Sequence, residues 1–345
     1  MIAQTLDKDK IKKLSRLIAG CDRVVITCHI APDGDAIGSS LALCHMLTDL
    51  GKNVHVVTPD MFATNLYYLP GAKDIVIYSR YEEFAIQLIS QADLIFSLDY
   101  NSIKRVDKLG EHILKSKAHK VMIDHHLDPE DFPNLVISHP EESSTAVLLF
   151  KVFAAMGLLP LVDKKIASCI YTGMMTDTGN FSYNSNTPDL YHIIARLVEC
   201  GIDKDKLYTH IINTSTLSRL RINGYAVSQK MTVYPEHRAA LITLTREELN
   251  SMDYKKGDTE SLVNIPLQLP DVVYSIFLRE ETDYIKVSAR SKGAFPVNKL
   301  CSDHFNGGGH RNAAGGEFYG TMEECISRFE STLDANDSLL PPLKN

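Results

Sequence analysis

The sequence predicts an α/β protein of two domains, in which a Rossmann-like parallel sheet is followed by a smaller α/β domain. Three observations lead to this expectation. The chain has 345 residues, which is more than one domain of ordinary size and comfortable for two. Roughly the first 200 residues alternate short β-branched runs with stretches of helical periodicity. A second group of strand-like runs fills the last third of the chain.

The N-terminal region contains four runs that are typical of buried strands, at Val24–Cys28, Val54–Thr58, Leu94–Asp99 and Lys120–Asp124. We expect an amphipathic helix between the first two, from about Ala36 to Leu50, ended by Gly51 as a C-cap. Strands separated by helices imply right-handed crossovers and a parallel sheet with helices on both faces. Ligands of such sheets bind beyond the carboxyl ends of the strands.

The C-terminal region follows a stretch, about Thr187 to Met231, that is helical in pattern. Its strand-like runs are Met231–Pro235, Ala239–Leu244, Val272–Leu278 and Tyr284–Arg290, and they precede a glycine-rich loop at Asn306–Gly309 and a final helix from about Met322. We therefore predict a first domain over residues 1–205, a helical connector over 206–230 and a second domain over 231–345.

Composition limits the class of function. A net charge of −7 and a pI of about 6.0 argue against a protein that coats long DNA or RNA, although a small anionic substrate fits. The seven cysteines are scattered without a CxxC pair, which indicates reduced thiols rather than a disulfide framework or a thiolate zinc site. Neither an apolar signal-peptide core nor a membrane-length apolar run is present. These features predict a cytoplasmic enzyme.

Acidic and histidine residues gather where the predicted strands end. The clusters are His29, Asp33 and Asp35 after the first strand, Asp99 at the end of the third, Asp124, His125 and His126 at the end of the fourth, and Asp177 in TGMMTDTGNF. Each cluster taken alone has a structural explanation as a turn, a helix N-cap or a polar loop. Together they would bring at least four carboxylates to one sheet edge, where their repulsion costs stability unless cations compensate it.

The donor types indicate which cations would bind. Oxygen ligands with a few imidazoles and no thiolate suit Mn²⁺ or Mg²⁺, and Mn²⁺ accepts histidine more readily. Two such ions, roughly 3.5–4 Å apart, position the attacking and leaving oxygens of an in-line phosphoryl displacement. Such a reaction needs no serine, cysteine or histidine nucleophile.

Five ordered motifs carry a resemblance to a known family. HIAPDGDAIGS, the later strand-end Asp99, the DHH triplet at Asp124 and TDTGNF resemble the DHH phosphoesterase superfamily, and GGGHRNAAGG (Gly307–Gly316) resembles the signature of its DHHA1 companion domain. The compact layout is similar to bacterial oligoribonucleases that also remove phosphate from 3′-phosphoadenosine 5′-phosphate. The resemblance implies a hydrolase of very short RNA, with its active site in the cleft between the domains. A cyclic di-AMP or pApA phosphodiesterase is the alternative.

The resemblance also implies a role for each candidate residue of the first domain. Asp99 would bridge two divalent ions, expected to be Mn²⁺ with Mg²⁺ or Co²⁺ as alternatives. His29 and Asp33 would complete one site, whereas Asp35, His125 and Asp177 would complete the other. His126 would lie near the scissile phosphate and stabilise charge or move a proton, and Asp124 would orient an imidazole.

The second domain is expected to hold the far end of the substrate. Gly307, Gly308 and Gly309 would let the backbone approach an anion, and a helix starting after them would offer unpaired N–H groups. Ser288, Arg290 and Ser291 match a Ser-x-Arg-Ser run of the family. The predicted contacts are Arg290, Ser291, His310 and the three glycines, with Arg105 from the first domain. A flexible turn and a surface salt bridge are the structural alternatives for the loop and for Arg290.

The expected partners follow from these assignments. They are short single-stranded RNA or dinucleotides and nucleoside bisphosphates, with no membrane. Relatives often pair, so a homodimer is open, although no interface can be read from the sequence. A pyrophosphatase is disfavoured because pyrophosphate offers no base or sugar to the second domain, and a non-hydrolytic nucleotide sensor is disfavoured by the complete ligand set.

Overall fold

A computed structural model describes residues 6–340. The chain divides into two compact units, Met1–Thr214 and Ser215–Asn345. Each unit has its own six-stranded sheet and its own apolar core, so the α/β class predicted from the sequence is confirmed for both. The finer division at residues 205 and 230 stays a prediction.

The first unit is built on a parallel sheet with the strand order β3-β2-β1-β4-β5-β6. The strands are β1 Arg23–Thr27, β2 Asn53–Thr58, β3 Val76–Ile77, β4 Leu94–Leu98, β5 His119–Asp124 and β6 Leu135–Ser138. The four strands predicted from the sequence are the central ones. The sequence pattern missed β3 and β6, because these edge strands are only 2 and 4 residues long.

Within the described part of the first unit, eight α-helices connect and cover these strands. They are α1 Lys8–Ala19, α2 Gly34–Asp49, α3 Glu82–Gln91, α4 Leu109–Lys115, α5 Thr145–Ala155, α6 Lys164–Asp177, α7 Pro188–Glu199 and α8 Lys204–Ile211. Helix α2 begins before the predicted Ala36 because the side chain of Asp33 caps it, and Gly51 follows its end with φ +79°. Over residues 6–340, no helix combines the length and the apolar character needed to cross a membrane.

Helices α2, α5 and α6 pack closely because glycines lie where they meet. A Cβ atom at Gly38 would lie 2.5 Å from the carbonyl oxygen of Cys169, and one at Gly173 would lie 2.5 Å from Asp35 Oδ1 and 2.7 Å from Ala146 Cβ. Any larger residue would push the helices apart. The same packing holds the buried Asp35 in place.

The second unit contains a mixed sheet with the order β11-β12-β10-β9-β8-β7, in which only β8 and β9 are parallel. Its strands are β7 Met231–Tyr234, β8 Ala239–Leu244, β9 Tyr274–Glu280, β10 Ile285–Ser291, β11 Gly308–His310 and β12 Ala313–Phe318. Its helices are α9 Leu217–Tyr225, α10 Arg246–Ser251, α11 Val297–His304, α12 Met322–Glu330 and α13 Leu333–Asp337.

The expectation of a helix directly after the glycine-rich loop is wrong. The loop leads into the β11–β12 hairpin, and the next helix begins only at Met322. The small residues allow the close approach of backbones in this hairpin, since a Cβ at Gly307 would lie 1.9 Å from the carbonyl oxygen of Gly315. A Cβ at Gly316 would lie 2.2 Å from the carbonyl oxygen of Phe305. Part of the glycine pattern therefore serves packing within the unit.

Candidate functional site

The candidate metal ligands of the first unit lie together near the carboxyl ends of β1, β4 and β5. The strand order reverses direction between β1 and β4, which is the position where ligands bind in open parallel sheets. Asp99 follows β4 directly and is 2% exposed. The cluster predicted from separated motifs therefore lies at one place in the fold.

Asp99 occupies the centre of this cluster. Its φ of +62° is left-handed, a conformation that costs roughly 1–2 kcal/mol for a residue other than glycine. Its amide donates a hydrogen bond to the carbonyl oxygen of Ile123 at 3.2 Å, and its Oδ1 accepts one from the Thr145 hydroxyl at 2.9 Å. These contacts fix the Asp99 carboxylate between the imidazoles of His29 and His125.

The Nδ1 atoms of His29 and His125 are each within hydrogen-bond distance of a backbone carbonyl oxygen. His29 Nδ1 lies 2.7 Å from the oxygen of Ile30, and His125 Nδ1 lies 3.1 Å from the oxygen of Glu142. Their Nε2 atoms lie 3.4 and 3.6 Å from the two oxygens of Asp99. Metal-ligating histidines are held in this way, because a hydrogen bond at one nitrogen sets the direction of the other.

The remaining carboxylates are held by helix ends. Asp35 is fully buried and accepts hydrogen bonds from the amides of Thr145 at 2.6 Å and Ala146 at 2.9 Å, at the start of α5. Asp33 caps α2 through Oδ1, and its Oδ2 lies 3.8 Å from His29 Nε2. Asp177, the last residue of α6, has Oδ2 3.3 Å from His125 Nε2.

Crowding of like charges shifts the pKa values of the carboxyl groups. Burial, together with the charges of Asp99, Asp177 and Asp33, raises the pKa of Asp35 well above its ordinary range. The surrounding protein and the charges of Asp99 and Asp33 also raise the pKa of Asp177, to about 7, although its side chain remains 28% exposed. Without cations, part of this cluster therefore holds protons near neutral pH.

The pKa of the central carboxyl group is lowered, and the pKa values of the two neighbouring imidazoles are raised. Burial alone would raise the pKa of Asp99, but its hydrogen bond with His29 and the neighbouring imidazole charges lower it. Burial alone would lower the pKa of His29, but Asp99 and Asp33 raise it to about 9. The pKa of His125 is raised for the same reason, by Asp99 and Asp177. Protons on His29 and His125 therefore stabilise the negative charge of the neighbouring carboxylates, as a bound cation would do.

The donor set fits divalent cations. Three overlapping groups have ligand atoms within 4.8 Å of one another: His29, Asp33 and Asp99; Asp35, His125 and Asp177; and Asp99, His125 and His126. The donors are carboxylate oxygens and imidazole nitrogens, without a thiolate, which suits hard or borderline ions. The structure thus brings together all six predicted ligands, while the assignment of each to a particular ion stays a prediction.

Asp124 holds His126 at two points. Asp124 Oδ1 lies 2.7 Å from His126 Nδ1, and its Oδ2 accepts a hydrogen bond from the His126 amide at 3.0 Å. Asp124 is fully buried, and His126 is 9% exposed. His126 Nδ1 lies 3.8 Å from Asp99 Oδ1, so this imidazole borders the cluster. The contacts have the form expected for a carboxylate that orients an imidazole.

Arg105 is connected to the segment that carries His29 by a backbone hydrogen bond. It belongs to a 3₁₀ turn, Ile103–Val106, and its carbonyl oxygen accepts a hydrogen bond from the Ile30 amide at 2.8 Å. Its side chain is half-buried. The predicted contact with substrate stays a prediction.

In the second unit, Arg290 lies on β10 beside a pocket of about 200 Å³. Lys286 and Ser288 line the same pocket from alternate positions of that strand, and Arg279 lines it from β9. The Arg290 guanidinium donates to the carbonyl oxygens of Ala289 at 2.9 Å and Ala314 at 3.4 Å, and burial lowers its pKa. Three basic side chains thus line this pocket, together with Glu260, and Arg279 is paired with Glu281.

The other residues of the second unit that were predicted to contact substrate differ in how accessible they are. Ser291 donates to the carbonyl oxygen of Phe295 at 2.7 Å and accepts from Asn312, so its hydroxyl serves the local fold. Gly308 faces open space, whereas a Cβ at Gly309, whose φ is +138°, would lie 2.7 Å from the carbonyl oxygen of Ala313. His310 is exposed at the end of β11.

Sequence reasoning missed the residues that hold the ligands. Thr145 contacts both Asp99 and Asp35, and the carbonyl of Glu142 orients His125. Ser143-Ser144-Thr145 before an apolar run is a recognisable helix start, and Ser144 is indeed the N-cap of α5. That signal locates the helix, but it does not reveal which carboxylate its amides would bind.

Comparison with known proteins adds two family matches. Residues 23–174 match the N-terminal domain of the DHH family, and residues 244–336 match the DHHA1 domain. The bifunctional oligoribonuclease and PAP phosphatase NrnA of Thermus thermophilus is 30% identical over 315 residues, covering 90% of this chain and 88% of that protein. The cyclic-di-AMP phosphodiesterase PdeA of Listeria monocytogenes is 27% identical, and the match covers 93% of this chain and 49% of that protein.

Two solved structures are similar in fold. An exopolyphosphatase-related protein from Bacteroides fragilis is 50% identical with a TM-score of 0.95, over 97% of this chain and 98% of that chain. RecJ of Thermus thermophilus, in complex with Mn²⁺, is 14% identical with a TM-score of 0.57, over 99% of this chain and 57% of that chain. The second likeness concerns the fold alone.

Proposed function

The chain belongs to the DHH/DHHA1 family of metal-dependent phosphoesterases, and we propose that it uses Mn²⁺ to hydrolyse very short RNA oligonucleotides and to dephosphorylate 3′-phosphoadenosine 5′-phosphate. One observation carries this proposal. Asp99 and five further acidic and imidazole side chains from separate motifs lie together, in groups whose ligand atoms are within 4.8 Å of one another. Similarity to the Thermus NrnA over 90% of the chain supports the choice of substrates.

We assign His29, Asp33 and Asp99 to one ion and Asp35, His125, Asp177 and the shared Asp99 to the other. Two divalent ions would supply the positive charge that these carboxylates lack, and they would stabilise charge on the reacting phosphoryl oxygens. The preference for Mn²⁺ over Mg²⁺ follows from the two imidazoles in the donor set.

The seven cysteines, all free thiols, support a cytoplasmic enzyme.

The remaining residues act on the substrate. We assign His126 the task of stabilising charge or moving a proton at the scissile phosphate, with Asp124 orienting the imidazole through the 2.7 Å contact at Nδ1. Arg290 would bind a phosphate or base of the substrate, supported by Ser291, His310 and Arg105. Gly307, Gly308 and Gly309 would offer backbone contacts, of which Gly308 is the one with open space beside it.

A panel of substrates tests the proposal. Purified protein with Mn²⁺ is incubated with RNA of two to five nucleotides, 3′-phosphoadenosine 5′-phosphate, pApA, cyclic di-AMP and polyphosphate, and initial rates are compared. We expect the highest kcat/KM on short RNA and on the bisphosphate. Tight nucleotide binding without hydrolysis of any substrate would contradict the proposal and favour a sensor.

A cyclic di-AMP or pApA phosphodiesterase is the second candidate. It is favoured by the similarity to PdeA, although this chain spans about half of that protein. Faster turnover of cyclic di-AMP or pApA than of short RNA and the bisphosphate would establish this alternative. Polyphosphate is included because the Bacteroides structure is described as exopolyphosphatase-related.

A further inference from the structure

Helix α5 contacts two of the proposed metal ligands directly. Its first residue, Thr145, donates from its hydroxyl to Asp99 at 2.9 Å and from its amide to Asp35 at 2.6 Å. A third connection runs from the middle of the same helix to His125. It passes through an ion pair that none of the motifs of the chain includes.

Lys151 forms this ion pair inside the first unit. Its Nζ lies 2.6 Å from Glu142 Oε1, and the two side chains are 7% and 9% exposed. Asp189, at the start of α7, lies farther away at 3.7 Å and is 45% exposed. A buried lysine and glutamate depend on each other, because either charge alone would be poorly solvated at this position.

The backbone of Glu142 reaches the metal centre. Its carbonyl oxygen accepts the hydrogen bond from His125 Nδ1 at 3.1 Å, and its amide donates to the carbonyl oxygen of His139 at 3.0 Å. The His139 amide donates in turn to the carbonyl oxygen of Asp124 at 3.1 Å. The turn at residues 139–142 is thus attached to the end of β5 by its backbone and to α5 by the Glu142 side chain.

We propose that Lys151 is a positioning residue of the metal centre, which through its ion pair with Glu142 fixes the carbonyl group that orients His125. A proton held on Nδ1 by that carbonyl leaves Nε2 as the nitrogen that faces Asp99 and Asp177. Lys151 is not one of the candidate ligands, and its connection to His125 runs through the turn. The inference rests on the proposed metal centre but not on the identity of the substrate.

Metal affinity of the full chain, measured without substrate, tests this role. The Lys151→Met variant keeps the length of the side chain but leaves Glu142 as a buried carboxylate without its cation. We expect the turn to move and the dissociation constant for Mn²⁺, measured by isothermal titration calorimetry, to rise by roughly 10-fold. This is the lower end of the range for losing a group that orients a histidine ligand, because the Glu142 carbonyl itself remains. Affinity equal to that of the wild type would overturn the proposal.

Two control variants separate positioning from general destabilisation. Val152→Ala creates a cavity one residue along the same helix, where Val152 is 1% exposed, and it should lower the melting temperature without weakening Mn²⁺ binding. Glu141→Gln removes the charge from the contact between the Glu141 carboxylate and His139 Nδ1 in the same turn and should also leave affinity unchanged. If Val152→Ala weakens Mn²⁺ binding as much as Lys151→Met does, Lys151 is merely structural and the proposal is wrong.

The double variant Lys151→Met/Glu142→Met sharpens the assignment to the ion pair. Apolar side chains of similar volume commonly replace a buried ion pair without loss of packing, so this variant should recover most of the Mn²⁺ affinity lost in Lys151→Met. A double variant as weak as the single one would contradict the ion-pair argument. If Lys151→Met does not fold, Glu142→Ala takes its place, since Lys151 retains Asp189 nearby, and unchanged affinity in that variant would overturn the proposal.

The outcomes also distinguish this inference from the proposed function. Wild-type protein that binds no Mn²⁺ would overturn both the metal centre and the role of Lys151. Wild-type and Lys151→Met proteins that bind Mn²⁺ equally would overturn only the role of Lys151. A different preferred substrate would affect neither result, because no substrate is present.

Discussion

The two regions that carry the predicted site residues stabilise their polar groups differently. In the first unit, Asp35 and Asp99 are buried among other carboxylates and imidazoles. Burial and the neighbouring carboxylates raise the pKa of Asp35, whereas contacts with the imidazoles lower the pKa of Asp99. In the second unit, Ser291 and the glycine hairpin form hydrogen bonds and packing contacts within the local fold. Without cations, the carboxylates of the first region depend on protons for balancing charge, whereas Ser291 and the hairpin of the second region are satisfied by contacts within the fold.

This difference indicates what a substitution in each region should change. Groups that depend on a cation should alter metal binding and the pH dependence of stability. Groups that are satisfied locally should alter either substrate affinity or the fold of their own unit, with metal binding intact. The following predictions test that distinction, beginning with the largest expected effect.

Asp99→Asn tests the first region at its centre. The substitution keeps size and shape but removes the negative charge that lies between His29 and His125. We expect turnover of short RNA with Mn²⁺ to fall by about 10³-fold, equivalent to roughly 4 kcal/mol of transition-state stabilisation. Metal content should fall together with activity. Full manganese-stimulated turnover by this variant would contradict the proposed centre.

Arg290→Ala tests the second region at the arginine that we assign to substrate binding. Loss of a charge-assisted hydrogen bond to the substrate should lower kcat/KM by roughly 10–150-fold, mainly through KM, which corresponds to about 1.5–3 kcal/mol. Steady-state kinetics together with the Mn²⁺ stoichiometry provide the measurement, and Arg290→Lys is the matched control that keeps the charge. A variant that loses its metals would show that the two regions are not separable in this way.

The sequence predicted the ligand cluster because each of its strands ends in acidic or histidine residues. The strands β1, β4 and β5 are apolar runs with recognisable ends, and the parallel arrangement then brings their termini together. Thr145, Glu142 and Lys151 escaped this reasoning. Their contributions come from backbone amides, a carbonyl and an ion pair that form only when α5 packs beside the sheet, and no periodicity records such contacts.

The hairpin of the second unit was misread for a different reason. Residues 313–316 combine two alanines, which favour helix, with two glycines, which disfavour both helix and strand, so their propensities did not decide the element. The helix start was expected because the glycines were interpreted as an anion-binding loop. Pairing of β12 with β10 decides the outcome, and that pairing connects residues distant in the chain, such as Gly315 and Ser288. Tertiary context therefore determined this element.

Gly307→Ala and Gly308→Ala form a matched pair that sharpens the comparison. A Cβ at Gly307 would collide with the carbonyl oxygen of Gly315 at 1.9 Å, so we expect a loss of about 1–3 kcal/mol in stability of the second unit. Gly308 has open space beside it, so its stability should change by less than about 0.5 kcal/mol. Thermal melts give the first result, and KM for short RNA shows whether the backbone at Gly308 approaches substrate. Equal destabilisation by both variants would contradict the packing argument.

The metal-free protein should lose stability as the pH rises from about 4 to 9. The pKa of Asp177 is about 7 in the fold against an ordinary value of 3.8, so between these values the folded state binds a proton that the unfolded state releases. The pKa of His29, about 9 against 6.5, acts in the same direction at higher pH. Melting temperatures in EDTA across this range give the measurement. Added Mn²⁺ should reduce the decline, because cations then replace the protons.

Asp177→Asn is the smallest of the expected effects and tests the charge imbalance most directly. In EDTA at pH 8, removal of one carboxylate should raise the melting temperature by about 2–4 °C, equivalent to roughly 1 kcal/mol for a unit of this size. With saturating Mn²⁺ the same variant should melt below the wild type, because asparagine is a poorer ligand for the ion. Asp9→Asn, whose side chain is 92% exposed, is the control and should be neutral in both conditions. A metal-free Asp177→Asn protein that melts below the wild type would mean that the first region is already balanced without cations, as the second region is.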